Sequence, residues 1–331
     1  MVEPIRHYLP CVFQLLKFYA RLAIKIYCRN IAINKPEYLK ANGPLLFAAN
    51  HPNSFLDGVI LTTLLKEDLY SLARGDAFQN KRFRGLLKFL HQLPVYRNSE
   101  GKENLHHNYT TFEACHEVFD KNGIVLIFSE GKCINEWHLR PLRKGTARLA
   151  IASWEKGIDL TVVPVGFNYS PFRNFGKNVF INFGKPIKKT LILEEATDGK
   201  RLLRFNDELK SQLESLVYEI DPADRQKIKE KLFVHQSLIK RLVLALPAAI
   251  GFILHAPLYF LVKAIADKYF DNDHFDGVMA CLQMLLYLFY LPMLCIITWV
   301  IFGWPYAVLT FFIAPFCAWA CVQVKNQLST D

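Results

Sequence analysis

The chain lacks the cysteine spacing that carries metal or redox chemistry. Its eight cysteines (Cys11, Cys28, Cys115, Cys133, Cys281, Cys295, Cys317 and Cys321) form no CxxC pair, and four of them fall in the apolar C-terminal region. That argues against a disulfide framework and a zinc site, and it suits a reducing, cytoplasm-facing compartment. The N-terminus has no short apolar core followed by a small-residue cleavage site, so no secretory signal peptide is expected. Internal repeats and low-complexity tracts are absent. Charge is scarce as well: 21% of residues are charged against 52% apolar, too apolar for a disordered chain.

The scarcity of charge is uneven. Residues 242–331 hold only 3 basic and 5 acidic residues, whereas residues 1–241 hold 37 Lys+Arg and 25 Asp+Glu, a net of +12. The basic excess is dispersed and no groove-reading motif accompanies it, so nucleic acid is not an expected partner. From Gly277 to Val324 there are 48 residues without a charge. A spanning helix needs about 20 apolar residues, so this stretch predicts two spans, turned at Phe302-Gly303-Trp304-Pro305. A third uncharged stretch, 242–262, contains Pro247, Gly251, His255 and Pro257, and reads either as a kinked span or as a re-entrant segment. The spans are thus two or three, at about 242–262, 278–301 and 305–324. Lys227, Lys229, Lys231, Lys240 and Arg241 precede them, and the positive-inside rule then places residues 1–241 on the cytoplasmic side.

Four parts are expected in all: an N-terminal interfacial helix within 1–40, an α/β domain at 41–220, a charged linker at 221–241, and the membrane region at 242–331. Between Tyr8 and Ile31 an apolar stretch carries Lys17, Arg21, Lys25 and Arg29 at every fourth position, a basic stripe suited to anionic headgroups. In the middle, strand-like runs at 44–49, 69–73, 93–97, 124–129, 160–168 and 178–183 alternate with helical stretches at 57–65, 81–90, 107–122 and 145–156. The fold class expected is α/β, a largely parallel mixed sheet flanked by helices. A further amphipathic helix is expected over 192–218.

Four segments carry candidate chemistry. Asn50-His51-Pro52-Asn53-Ser54-Phe55-Leu56-Asp57 follows a strand and precedes a helix, where open α/β sheets place their ligands. It reads either as a general base, a His and an Asp paired in one loop with the carboxylate holding the imidazole tautomer, or as a capped turn with an incidental His. The second segment ends in Leu93-Pro94-Val95-Tyr96-Arg97, whose arginine suits a phosphate. The basic stretch 81–88 between them reads as a membrane-surface helix or a solvated face. In the third segment, Ile127-Phe128-Ser129-Glu130-Gly131-Lys132 precedes the basic loop 139–145 with Arg140, Arg143 and Lys144. It reads as an anion-binding turn at a helix N-terminus or as a solvated basic turn. The fourth, Val162-Val163-Pro164-Val165-Gly166-Phe167-Asn168-Tyr169, reads as a pocket wall or plain sheet core. His106, His107 and His116 find no ligand partners and read as surface residues, so no metal is expected.

In this order and spacing, the four segments resemble the glycerol-phosphate and lysophosphatidate acyltransferase superfamily over roughly residues 50–187. The likeness is greatest to the glycerol-3-phosphate or dihydroxyacetone-phosphate branch, on Asn50–Asp57, Gly166–Tyr169 and Phe183-Gly184-Lys185-Pro186-Ile187. The resemblance implies His51 and Asp57 as the catalytic pair, and Arg97, Glu130, Gly131, Lys132, Arg140 and Lys144 around the phosphate-bearing acceptor. It implies a membrane-bound enzyme of phospholipid synthesis. The acyl donor is acyl-CoA or acyl-carrier protein and the acceptor glycerol-3-phosphate or 1-acylglycerol-3-phosphate, with no cofactor. A bacterial inner membrane is preferred to endoplasmic reticulum because the catalytic part is compact. Two departures stand out. Five residues separate His51 from Asp57 where the superfamily usually has four, and Ser129, Lys132 and Cys133 replace Pro, Thr and Arg of the usual third motif. The rival expectation is a lipid-binding or scaffolding protein that keeps the fold without the chemistry.

Overall fold

The computed structural model describes residues 10–96, 107–173, 175–270 and 273–328. In chain order the elements are α1 (Pro10–Tyr27), β1 (Asn30–Ile33), β2 (Leu45–Ala49), α2 (Phe55–Leu64), β3 (Leu69–Arg74), α3 (Lys81–Phe89), β4 (Gln92–Val95), α4 (His107–Asp120) and β5 (Ile124–Phe128). They continue with α5 (Gly145–Glu155), β6 (Thr161–Tyr169), β7 (Asn178–Phe183), α6 (Lys189–Leu193), α7 (Asp198–Leu216), α8 (Arg225–Leu232), α9 (Leu238–Tyr269), α10 (Phe275–Phe302) and α11 (Trp304–Val324). The seven strands form one sheet in the order β1-β7-β6-β2-β5-β3-β4. Every neighbouring pair is parallel except β6–β7.

Burial follows the two-residue period of a strand. Along β2, Leu46 and Ala48 join a core with Cys115, Val118 and Phe119 of α4, Leu149 of α5 and Phe205 and Leu209 of α7. Leu45, Phe47 and Ala49 point the other way, toward Ile24 and Tyr27 of α1 and Leu56, Ile60 and Leu61 of α2. A strand buried on both faces reads as a continuous apolar run, which is why PLLFAA is legible as a central strand. His116, expected at the surface, is buried on α4, because its neighbours Cys115 and Phe119 turn that side of the helix to the sheet.

Several expectations are corrected. The N-terminal helix ends at Tyr27, and Asn30–Ile33 extends the sheet beside β7 instead of continuing the helix to Ile31. Strand pairing overrides the local helical pattern there. Three of the four basic side chains of the stripe also face the protein, while Lys25 is exposed. Lys17 Nζ donates to Lys66 O and Glu67 O at 3.2 and 2.8 Å, and Arg21 donates to Thr63 O at 2.6 Å. Arg29 donates to Val322 O and Lys325 O. Those carbonyls lie at or just past the C-terminal ends of α2 and α11, where orphan acceptors and the negative end of the helix dipole await cations. The solvent-side face of α1 is instead apolar, through Val12, Leu15, Phe18 and Leu22. The helix expected over 192–218 is broken in two, because Thr197 caps a new start by accepting from Lys200 N at 3.4 Å. The charged linker contains α8, capped by Asp224 and seated through Ile228 and Leu232.

Among the described residues three helices, α9, α10 and α11, are long and apolar enough to cross a membrane. The first is a single helix of 32 residues that runs through Pro247 and Pro257; at 1.5 Å per residue it is about 48 Å long. Near Pro257, where the ladder lacks a donor, side chains reach the backbone. Tyr290 of α10 donates to Leu254 O at 2.6 Å, and the His255 ring donates from Nδ1 to Gly251 O at 2.8 Å. Its Nε2 then faces Tyr287 OH at 3.1 Å. The turn between α10 and α11 falls at Gly303, whose φ of +94° suits glycine.

Candidate active site

The site forms where β2, β5 and β6 end together at their carboxyl edge. Just past β2, the Asn50 amide grips the backbone of β6: it donates to Phe167 O at 3.0 Å and accepts from Phe167 N at 2.7 Å. His51 follows, and its Nδ1 lies 2.9 Å from Asp57 Oδ2 in the first turn of α2. Against an ionised carboxylate, which only accepts, Nδ1 carries the hydrogen and Nε2 is left with its lone pair. The His51 side chain is 14% exposed and that of Asp57 is fully buried. The imidazole lies flat on the Phe128 ring, centroids 3.7 Å apart.

A buried carboxylate needs partners, and Asp57 has three. Besides His51, the Asn53 backbone N–H reaches Oδ2 at 3.0 Å and the Tyr169 hydroxyl reaches Oδ1 at 2.6 Å. Burial, reinforced by the Asp57 charge, pushes the Tyr169 phenol well above its ordinary range, so it stays protonated and donates.

Glu130, at the end of β5, accepts from His51 N at 2.8 Å and from Arg140 N at 2.9 Å. Its carboxylate therefore joins the His51–Asp57 loop to the basic loop through the backbone. Burial pushes it up to about 7; the two backbone N–H groups pull it down and the Asp57 charge raises it. At Gly131 the φ is +68°, and an added Cβ would stand 3.1 Å from Arg143 Cγ. Lys132, Arg143 and Lys144 are exposed around this turn. The Arg140 guanidinium instead pairs with Glu136 at 2.7 Å. Arg97 lies outside the described residues. The structure thus brings His51, Asp57, Glu130 and Gly131 together, with Lys132 and Lys144 on the rim and Arg140 present through its backbone. Among the described residues no cluster of His, Cys, Asp and Glu is placed to hold a metal ion.

Other contributors escaped the sequence reading. Tyr169 sits in the fourth segment, but nothing local indicates that its hydroxyl meets Asp57. Cys133 Sγ accepts the Ser54 N–H at 2.9 Å, across 79 residues of chain. His274 and Asp276, from the start of α10, reach Ser54 and Asn53. The one available signal is that Asp276 is the last charge before the long uncharged run.

Residues 30–168 match the family model described as Acyltransferase. No curated relative matches the chain significantly. Among solved structures, the chain is similar to the 1-acyl-sn-glycerophosphate (LPA) acyltransferase PlsC from Thermotoga maritima, at 13% identity and a TM-score of 0.42, over 62% of this chain and 80% of that one. The stretch that matches this family model, residues 30–168, contains the His51–Asp57 pair and the Glu130 loop.

Proposed function

We propose that this chain is a membrane-bound O-acyltransferase. It moves a fatty acyl group from acyl-CoA or acyl-carrier protein to a hydroxyl of glycerol-3-phosphate or 1-acylglycerol-3-phosphate. The observation that carries this reading is the 2.9 Å contact between His51 Nδ1 and a fully buried, three-donor Asp57, inside the matched segment. His51 Nε2 takes the proton of the acceptor hydroxyl as its oxygen attacks the thioester carbonyl. The tetrahedral intermediate collapses, the carbon–sulfur bond breaks, and the imidazolium returns the proton to the leaving thiolate. Asp57 steadies the imidazolium. A positioned base of this kind contributes about 10²- to 10⁴-fold. The exposed Lys132, Arg143 and Lys144, beside the start of α5, suit an acceptor phosphate.

Membrane attachment is supported by the three apolar helices and by the exposed apolar faces of α1 and α3, the latter through Phe83 and Leu86. The basic balance of residues 1–241 supports a cytoplasmic catalytic side in a bacterial inner membrane or endoplasmic reticulum. The test is purified protein offered labelled acyl-CoA or acyl-carrier protein with each acceptor, the products separated by thin-layer chromatography. Acylated product is expected from wild type, with His51→Ala reduced to background. Equal rates for the two proteins would remove the reading.

A further inference from the structure

We propose that the first turn of α10, the second long apolar helix, is a positioning element for the catalytic pair: His274 and Asp276, with Lys177, hold the lengthened His51–Asp57 loop in its working shape. This rests on the acyl-transfer reading above.

The loop between His51 and Asp57 has one residue more than the superfamily pattern, and it is bent sharply at Ser54. There φ is 52° and ψ −143°, a positive φ that is uncommon for any residue with a side chain. Ser54 makes no side-chain cap on α2. Its holders come from far along the chain. Its N–H goes to Cys133 Sγ at 2.9 Å, and its hydroxyl shares a 2.6 Å hydrogen bond with His274 Nδ1. Cys133 stands where the third motif usually has arginine, so the two departures from the pattern meet in space: the altered third motif grips the longer first one.

Asn53, the preceding residue, is fully buried and is held from the same side. Its amide donates to Asp276 Oδ2 at 3.1 Å. Asp276 is itself buried, ion-paired with the buried Lys177 just ahead of β7, and it accepts from Arg173 N at 3.0 Å. The backbone N–H of the same Asn53 points at Asp57 Oδ2. A continuous line therefore runs Lys177–Asp276–Asn53–Asp57–His51. A parallel strap runs from the Asp273 carboxylate to Asn135 N at 3.0 Å, and from the Asn135 amide to Pro52 O at 2.7 Å. Surface anchoring alone requires neither buried ion pair nor contact with the catalytic loop. The placement of these groups makes the apolar helix part of the catalytic architecture.

The test uses the full chain in detergent micelles, with His274→Ala and Asp276→Asn compared with wild type. Loss of position near the reacting atoms costs up to about 10²-fold in rate. A fall in kcat of about 10-fold is expected for His274→Ala and up to about 10²-fold for Asp276→Asn, with KM for both substrates within about two-fold of wild type. The acid limb of the kcat profile should move to lower pH, because the imidazolium is less well held by its carboxylate. Asp276→Asn leaves Lys177 buried without a counter-charge; should that variant not fold, His274→Ala decides. A folded His274→Ala with unchanged kcat and acid limb, or one affected in KM alone, overturns the proposal. A second readout needs no turnover: carbethoxylation of His51 by diethyl pyrocarbonate at pH 6, followed by peptide mass spectrometry, should be faster in the variants. If wild type transfers no acyl group, the functional reading falls, and the labelling rate still decides the positioning role. Equal labelling in variant and wild type overturns it.

Discussion

A carboxylate as buried as Asp57 persists because three donors surround it. Asp57→Asn replaces one acceptor oxygen with a donor and allows the imidazole to adopt the wrong tautomer. Its kcat should fall by about 10³- to 10⁴-fold with little change in KM, measured in the acyl-transfer assay. Tyr169→Phe removes only the 2.6 Å hydrogen bond to Oδ1. Hydrogen bonds to charged groups contribute about 1.5–3 kcal/mol, so a lower thermal midpoint and a smaller loss of kcat are expected. Glu130 gives a pH signature. Its folded value of about 7 lies above the ordinary 4.5, so the folded state holds this proton more tightly than the unfolded chain. Its contribution to stability is full below about 4.5 and is lost as pH rises through about 7. Thermal midpoints measured between pH 5 and 8 should fall with pH in wild type and flatten in Glu130→Gln.

At the level of elements, cations and glycines decide how helices meet. Arg29 holds the end of α11 through Val322 O and Lys325 O, and burial lowers it to about 10, still charged at neutral pH. Arg29→Met would orphan buried carbonyls at about 1–3 kcal/mol each and lower the thermal midpoint. Gly251 in α9 meets the backbone of α11 so closely that an added Cβ would stand 2.1 Å from Cys317 O. Gly251→Val must push the two helices apart. Gly85 in α3 has nothing within 4 Å of an added Cβ, so Gly85→Ala should raise stability by up to about 1 kcal/mol through helix propensity alone. Thermal unfolding in one detergent compares the pair, and a Gly251→Val protein as stable as wild type would contradict the close contact.

The whole molecule joins a basic α/β unit to an apolar helical bundle by contacts that reach the His51–Asp57 loop. Three helices of this length and composition should keep the protein with the membrane pellet after alkaline carbonate washing, whereas a surface-bound domain would be released into the supernatant. The α1 helix belongs to the same assembly. Its Tyr19 hydroxyl donates to Met284 O of α10 at 2.6 Å, and its exposed face is apolar. Lys17 and Arg21 of α1 therefore lock protein to protein, while its apolar face and the exposed Lys25 are turned outward.

Periodicity and spacing alone make much of this molecule legible. PLLFAA reads as a strand, the 48 uncharged residues read as long apolar helices, and the four motifs in their order resemble the acyltransferase superfamily. The pairing of His51 with Asp57 was readable too, because both lie in one short loop whose proline and serine prevent a helix. What the linear chain leaves open are contacts between distant segments. Lys17, Arg21 and Arg29 recur with a spacing that equally serves lipid headgroups or helix ends, and only packing decides between them. Asn30–Ile33 becomes a strand because β7 offers it an edge. Tyr169, Cys133, His274 and Asp276 arrive at the catalytic loop from 79 to 223 residues away in sequence. Local pattern records which face of an element is apolar; which distant group satisfies a buried donor or charge is decided by the assembled fold, where leaving it unsatisfied costs more than bringing a partner to it.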